Sequence, residues 1–286
     1  MNRTLRRSLV TASFVLPAFA IYTLFVIYPF LHSFVMSLQE WSGFSLRGSF
    51  VGLANYRQLM SDPVIGVSLG NNLFILFWCT LFTFVLSLFF AVVISRRDYK
   101  SAGFFKAVFF LPHVMSMAIV AIVWMFIFNP SFGIVNRLLA GAGLEGLQRI
   151  WLGDRDVIMG ALTVPLVWFN LGFYMVIFIS AIAEIDTQLF DAAEIDGANE
   201  LQKFIFVILP SIWDFVRITL VFFVITAFNY SFELVYVITK GGPNRASELL
   251  TTYLYEQAFQ RSHFGYAAAI GFVIFLIVFL LIALVL

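Results

Sequence analysis

Residues 191–199 read Asp-Ala-Ala-Glu-Ile-Asp-Gly-Ala-Asn, and this polar stretch lies between two long apolar segments. Acidic residues are concentrated around it, although only 12% of the chain is charged. Five carboxylates fall within fifteen residues: Asp186, Asp191, Glu194, Asp196 and Glu200. We interpret this stretch as a surface that meets a partner.

The same stretch has the pattern of two short helices that meet at a glycine. Asp191 and Glu194 are three residues apart, so they share one face of the first helix. Gly197 allows a sharp turn, because a residue without Cβ adopts positive φ without steric cost. Pro210 bends or ends the second helix. The pattern predicts a polar helical hairpin within a loop at 184–214.

The rest of the chain has the composition of a membrane protein. Hydrophobic residues make up 62% of it and its mean hydropathy is +0.96, whereas the apolar share of a soluble domain is about half. The uncharged runs hold the roughly 20 apolar residues that a spanning helix needs. We predict one all-α, polytopic transmembrane domain over residues 1–286. Its six spans are placed at about 8–31, 70–95, 107–129, 157–181, 216–238 and 265–286.

Basic residues set the predicted orientation, because loops rich in lysine and arginine stay in the cytoplasm. One such group precedes the first span and consists of Arg3, Arg6 and Arg7. The other follows the second span and consists of Arg96, Arg97, Lys100 and Lys106. With six spans, both termini and the 184–214 loop are predicted to be cytoplasmic. The first span also resembles a cleavable signal peptide whose cleavage site would be Ala18-Phe19-Ala20. Its apolar run continues to Leu31, however, which favours an uncleaved membrane anchor.

Few residues suggest bond chemistry. The chain lacks the Gly-x-x-x-x-Gly-Lys-Ser/Thr pattern that cradles ATP phosphates, so the energy source is expected on another protein. His32, His113 and His263 are far apart in sequence. Cys79 has no partner cysteine and suits a small packed hydrophobe. We predict no catalytic residue, no metal site and no cofactor in this chain, and we expect lipid but no nucleic acid among its partners.

Polar side chains within the spans mark a candidate path for a solute. Asn170 and Tyr174 are four residues apart and share a helix face in the fourth span. Asn229 and Glu233 have the same spacing in the fifth span, with Tyr230 beside them. Amide, carboxylate and aromatic groups suit a sugar. The alternative is that the amides and Tyr174 bond neighbouring helices together, with about 0.6 to 2 kcal/mol from each bond.

The acidic stretch resembles the cytoplasmic EAA loop of binding-protein-dependent ABC importer permeases. That loop reads Glu-Ala-Ala, three residues, Gly and a hydrophobic stretch ending in Leu-Pro, and it docks on the ATPase subunit. Here Asp191 replaces the first Glu, and Asp214 stands where a second proline is common. The resemblance implies a coupling loop whose matching residues are Asp191, Ala192, Ala193, Glu194, Asp196, Gly197, Leu209 and Pro210.

Residues 17–41, 129–136 and 239–243 are similar to the carbohydrate-importing branch of this family, the relatives of the maltose and glycerol-phosphate permeases. The resemblance implies the type I ABC importer permease fold in a bacterial inner membrane, with a sugar or sugar-like solute. It also implies three partners. These are a second permease, a dimer of ATP-binding subunits that holds ATP and Mg, and an extracytoplasmic solute-binding protein.

Two other classes of protein are weighed against this one. An ion-coupled secondary carrier would use Glu233 as its proton or sodium site, although internal inverted repeats are not evident. An intramembrane enzyme would need paired acids or a nucleophile with its base inside the spans. The Glu233→Gln variant separates the first two classes, since a carrier should lose coupling and an ABC permease should at most change its solute affinity.

Overall fold

A computed structural model describes residues 3–45, 48–95 and 102–286. The helices are α1 (Arg3–Tyr22), α2 (Tyr28–Ser37), α3 (Ala54–Ser61), α4 (Pro63–Ser95), α5 (Ala102–Val114), α6 (Met117–Ile127), α7 (Ile134–Gly141), α8 (Ile158–Ala183), α9 (Thr187–Ile195), α10 (Glu200–Lys203), α11 (Leu209–Ser211), α12 (Trp213–Ile238), α13 (Leu250–Tyr255) and α14 (Phe264–Val285). Two-residue strands β1 (Gln39–Glu40) and β2 (Ser49–Phe50) pair antiparallel. Because all regular elements of the described residues except these two short strands are helices, the all-α prediction is confirmed. Of the basic residues used for orientation, Arg96, Arg97 and Lys100 lie outside the described residues.

Within the described residues, five helical segments are long and apolar enough to cross a membrane. They are Ser13–Ser37, Pro63–Ser95, Ile158–Ala183, Trp213–Ile238 and Phe264–Val285. The bent pair α5 and α6 makes six if it counts as one span. The second segment begins at Pro63, ahead of the predicted start near residue 70.

The predicted third span is not one helix, because α5 and α6 differ in direction by 101°. Pro112 lies in the last turn of α5, where its missing N–H weakens the helix. Ser116 has an extended backbone, and its hydroxyl accepts a hydrogen bond from the Ile119 amide at 3.4 Å. This side-chain bond caps the start of α6. The helical direction therefore changes between the proline and the serine.

The chain forms two compact units. The first comprises Met1–Asp62 and Leu254–Leu276. Within it, α2 packs on the first part of α14, with the ring centroids of Phe34 and Phe272 4.8 Å apart. Gly265 lies directly against a main-chain carbonyl of β1, which leaves no room for a Cβ. Close main-chain contact at this glycine joins the two segments of the unit.

The second unit comprises Pro63–Tyr253 and Ile277–Leu286 and holds an extensive buried core. Its central helix is α8, which packs against α4, α5, α6 and α12. Gly172 of α8 lies against the main chain of Phe109 in α5, so closely that a Cβ would overlap the Phe109 carbonyl. The Ser87 hydroxyl of α4 donates to a main-chain carbonyl of α8 at 2.8 Å. Small side chains thus bring α8 close to two neighbouring helices.

Candidate functional site

The acidic stretch forms two helices joined by a turn, which we call the acidic elbow (residues 186–203). Its first helix, α9, is capped by the Asp186 carboxylate, which accepts a hydrogen bond from the Gln188 amide at 2.9 Å. At its other end Gly197 has φ +74°. The amides of Gly197 and Ala198 donate back to carbonyls of α9 at 3.0 and 2.9 Å. This pair of bonds is a Schellman motif, which fixes the helix end.

The second helix of the elbow, α10, is fixed by side chains. Asn199 Oδ1 accepts from the Gln202 amide at 3.0 Å, and Gln202 Oε1 accepts from the Asn199 amide at 2.8 Å. This reciprocal arrangement is a capping box. Lys203 is only 5% exposed, and its ammonium lies 2.6 Å from Glu194 Oε1 and 3.5 Å from Glu200 Oε1. Because Glu194 belongs to α9, the shorter ion pair crosses the turn of the elbow.

Behind the elbow, the chain returns to the core through a π-helical turn at Phe204–Ile208. Pro210 follows this turn and has no N–H for a helical bond, so regular α-helix is interrupted here. Ile208 and Ile212 are both 0% exposed and belong to the core cluster of the second unit. The return end of the acidic elbow is thus fixed in buried structure.

The predicted coupling residues of the acidic elbow lie together on its surface. The exposed ones are Asp191, Ala192, Glu194, Asp196 and Gly197, and Ala193 is half-buried. On the return, Leu209 is half-buried and Pro210 is exposed. Sequence reasoning missed Ile195, which is 86% exposed beside the turn, and Lys203. A signal for the lysine exists, since it is the only Lys or Arg between Arg155 and Arg217.

The predicted solute-path residues fall into two environments. Asn170 and Tyr174 of α8 are 4% and 1% exposed. The Asn170 amide donates to the Leu166 carbonyl of its own helix at 2.8 Å, rather than to a neighbouring helix. Asn229 and Glu233 of α12 are exposed. Of the two polar pairs, only the one on α12 is exposed.

Tyr230 lies half-buried between these two environments. Its ring contacts the ring of Phe169 in α8, with centroids 4.9 Å apart, and that of His113 in α5 at 6.3 Å. His113 in turn stacks on Phe173 at 4.4 Å. Among the described residues, no three His, Cys, Asp or Glu side chains are placed to hold a metal ion. The His113 ring thus packs against aromatic side chains of α8 and α12.

A buried polar network follows α12, and the sequence analysis did not identify its central residue. Glu248 is 4% exposed, and its carboxylate accepts hydrogen bonds from Arg245 Nη1 at 3.0 Å and Thr252 Oγ1 at 2.5 Å. Gly241, with φ +87°, is so close that a Cβ would lie 2.6 Å from Glu248 Oε2. Asn71 of α4 donates to the Glu248 main-chain carbonyl at 2.9 Å. The network attaches the segment after α12 to α4.

The long apolar helices define a multi-pass membrane protein, and comparison with known proteins specifies its family. The chain is 37% identical over 267 residues to the probable ABC transporter permease protein YurN of Bacillus subtilis, covering 92% of this chain and 90% of the relative. It is 31% identical to the diacetylchitobiose uptake system permease protein NgcF of Streptomyces coelicolor, covering 89% and 75%. No family model matches the chain. The chain belongs to the ABC transporter permeases.

A solved structure agrees with this assignment at the level of the fold. The chain superposes with a TM-score of 0.85 on a chain of a bacterial alginate ABC transporter, solved in complex with an alginate pentasaccharide-bound periplasmic protein. The superposition covers 99% of this chain and 94% of the other, at 20% sequence identity. The predicted importer permease fold is confirmed, and so is the resemblance to ABC permeases.

Proposed function

We propose that this chain is the membrane permease subunit of an ATP-driven importer for a sugar or sugar-like solute. The observation that carries the proposal is the acidic elbow, an exposed turn with both helix ends fixed and its return end buried in the core. The relative named for diacetylchitobiose uptake supports a sugar as the solute. The exposed amide and carboxylate on α12 provide hydrogen-bonding groups of the kind that sugar hydroxyls need.

Three partners complete the proposed transporter. A second permease forms the other half of the path, and a solute-binding protein delivers solute on the outer side. A dimer of ATP-binding subunits holds ATP and Mg and docks at the acidic elbow, where exposed Asp191 and Asp196 offer negative charge to a basic surface. In this arrangement the elbow and both chain termini lie in the cytoplasm.

The acidic elbow would act as a rigid lever. Because both helix ends at the turn are held by hydrogen bonds, force on α9 is passed along the chain rather than absorbed at Gly197. The next fixed points are Ile208 and Ile212, which share a core cluster with side chains of α4, α8 and α12. Closure of the ATP-binding subunits would therefore rock these helices between inward-open and outward-open states.

The Asp191→Lys variant tests the docking role. We expect the amount of ATP-binding subunit that co-purifies to fall at least tenfold, about 1.4 kcal/mol of binding free energy, because a cation replaces the acid at the docking surface. The measurement is co-purification from detergent after co-expression with the proteins encoded beside this chain. Asp156→Lys, an exposed acid in the loop before α8, is the matched control and should co-purify normally. If wild type retains no ATP-binding subunit, the proposal fails.

The two environments of the solute-path residues give a second prediction. Glu233→Gln is expected to raise the solute concentration for half-maximal uptake roughly fivefold, because a hydrogen bond to a charged acceptor is stronger than one to a neutral acceptor by about 1 kcal/mol. ATP-dependent uptake should persist. Asn170→Ala is the contrasting variant and should leave the half-maximal concentration unchanged. Among the described contacts, the buried Asn170 amide bonds only its own helix. An unchanged half-maximal concentration in Glu233→Gln, or uptake that does not require ATP hydrolysis, would contradict this assignment.

A further inference from the structure

Lys203 is a buried cation in a segment that is otherwise exposed and acidic. Only 6% of its side chain is exposed, whereas 64% of the Glu194 side chain and 74% of the Glu200 side chain are exposed. Burying an ammonium group is costly unless a carboxylate pairs with it. The 2.6 Å contact with Glu194 Oε1 meets this requirement. The pair is therefore built into the elbow and is not an incidental surface contact.

The position of this pair in the elbow distinguishes it from the other bonds there. The Schellman motif at Gly197 fixes the end of α9, and the capping box at Asn199 fixes the start of α10. Each of these motifs is local to one helix end. The Lys203–Glu194 pair instead joins α10 to α9 across the turn. Lys203 also directly precedes the π-helical turn that leads to the buried Ile208.

We infer that Lys203 and Glu194 are positioning residues that set the angle between α9 and α10, and that Asp191 and Asp196 are the carboxylates that face the partner. This inference rests on the proposed coupling function. It divides the acids of the elbow into two roles. Glu194, although its side chain is 64% exposed, is paired with Lys203 and transmits movement, whereas Asp191 and Asp196 lie on the docking surface.

The inference is tested first on the purified chain alone, which separates it from the proposed function. Spin labels at Gln188→Cys and Leu201→Cys, both exposed positions on the two sides of the turn, report the distance across the elbow. Lys203→Met should broaden the distance distribution at least twofold, and Glu200→Gln should leave it unchanged. Methionine suits the buried site, and the exposed Glu194 is solvated when its partner is removed, so the variant is expected to fold. An unchanged distribution in Lys203→Met would overturn the inference.

The second test measures coupling in the assembled transporter. Lys203→Met and Glu194→Gln should keep co-purification of the ATP-binding subunit within twofold of wild type. The solute transported per ATP hydrolysed should fall five- to tenfold, and the charge-swapped pair Lys203→Glu with Glu194→Lys should recover at least half of the loss. Asp191→Asn should show the opposite pattern, with weaker co-purification. If Glu194→Gln weakens co-purification as much as Asp191→Asn, Glu194 is a docking residue and the inference is wrong.

Discussion

Replacing Gly172 with alanine is expected to separate α5 from α8 and to destabilise the protein by roughly 3 kcal/mol or more. The Cβ would overlap the main-chain carbonyl of Phe109, and a main-chain atom in a packed helix cannot rotate away as a side chain can. The two helices must move apart, and the contacts of His113 with α8 would weaken with them. The measurement is the thermal midpoint of the purified protein in detergent, which should fall by about 6–12 °C.

Gly160 provides a matched control in the same helix. Apart from its chain neighbours and the backbone of its own helix, no atom lies within 4 Å of the position that its Cβ would occupy. Alanine also favours helix over glycine by about 1 kcal/mol. Gly160→Ala should therefore leave the midpoint unchanged or raise it by a few degrees. Equal midpoints for the two variants would show that the close approach of α5 to α8 at Gly172 is not needed for stability.

The count of apolar residues in the local sequence largely decides where a long apolar helix lies, and several predicted spans coincide with such helices for this reason. The fourth and fifth, predicted at 157–181 and 216–238, lie at Ile158–Ala183 and Trp213–Ile238. The third span was different, because the same count of apolar residues fits a straight helix or a bent pair. Its bend depends on how the backbone around Ser116 is held, which hydropathy does not report.

The environment of a polar residue within a span depends on the neighbours of its helix, and this was not predictable. The two polar pairs in α8 and α12 have the same four-residue spacing. In the most apolar 18-residue stretch of α8, 67% of the residues are buried, compared with 39% in the corresponding stretch of α12. Tyr174 is therefore enclosed, whereas Glu233 is exposed. The acidic elbow was predictable as a turn at Gly197, but the burial of Lys203 depends on how α10 folds back.

Loss of the Glu248 carboxylate is expected to have the second-largest effect on stability. Glu248→Ala removes a carboxylate that accepts hydrogen bonds from both Arg245 and Thr252 and is only 4% exposed. Breaking a fully buried pair costs about 3–5 kcal/mol. The Arg245 side chain is 35% exposed and regains some water, so we expect about 2–4 kcal/mol here. Glu248→Gln keeps an acceptor for Thr252 and should lie between wild type and Glu248→Ala in thermal midpoint.

The same substitution should also affect how the permease works with a solute-binding protein. The Glu248 carboxylate joins Arg245 to Thr252 and so fixes the conformation of the segment after α12. This conformation presents the Glu248 main-chain carbonyl to Asn71 of α4. Residues 239–243 of this segment resemble the carbohydrate-importing branch. A loosened segment should lower uptake driven by the binding protein more than it lowers co-purification of the ATP-binding subunit, because the acidic elbow is unchanged. Glu145→Ala, an exposed acid, is the control for charge alone. If Glu248→Ala matches this control in both midpoint and uptake, the network does not hold the segment in place.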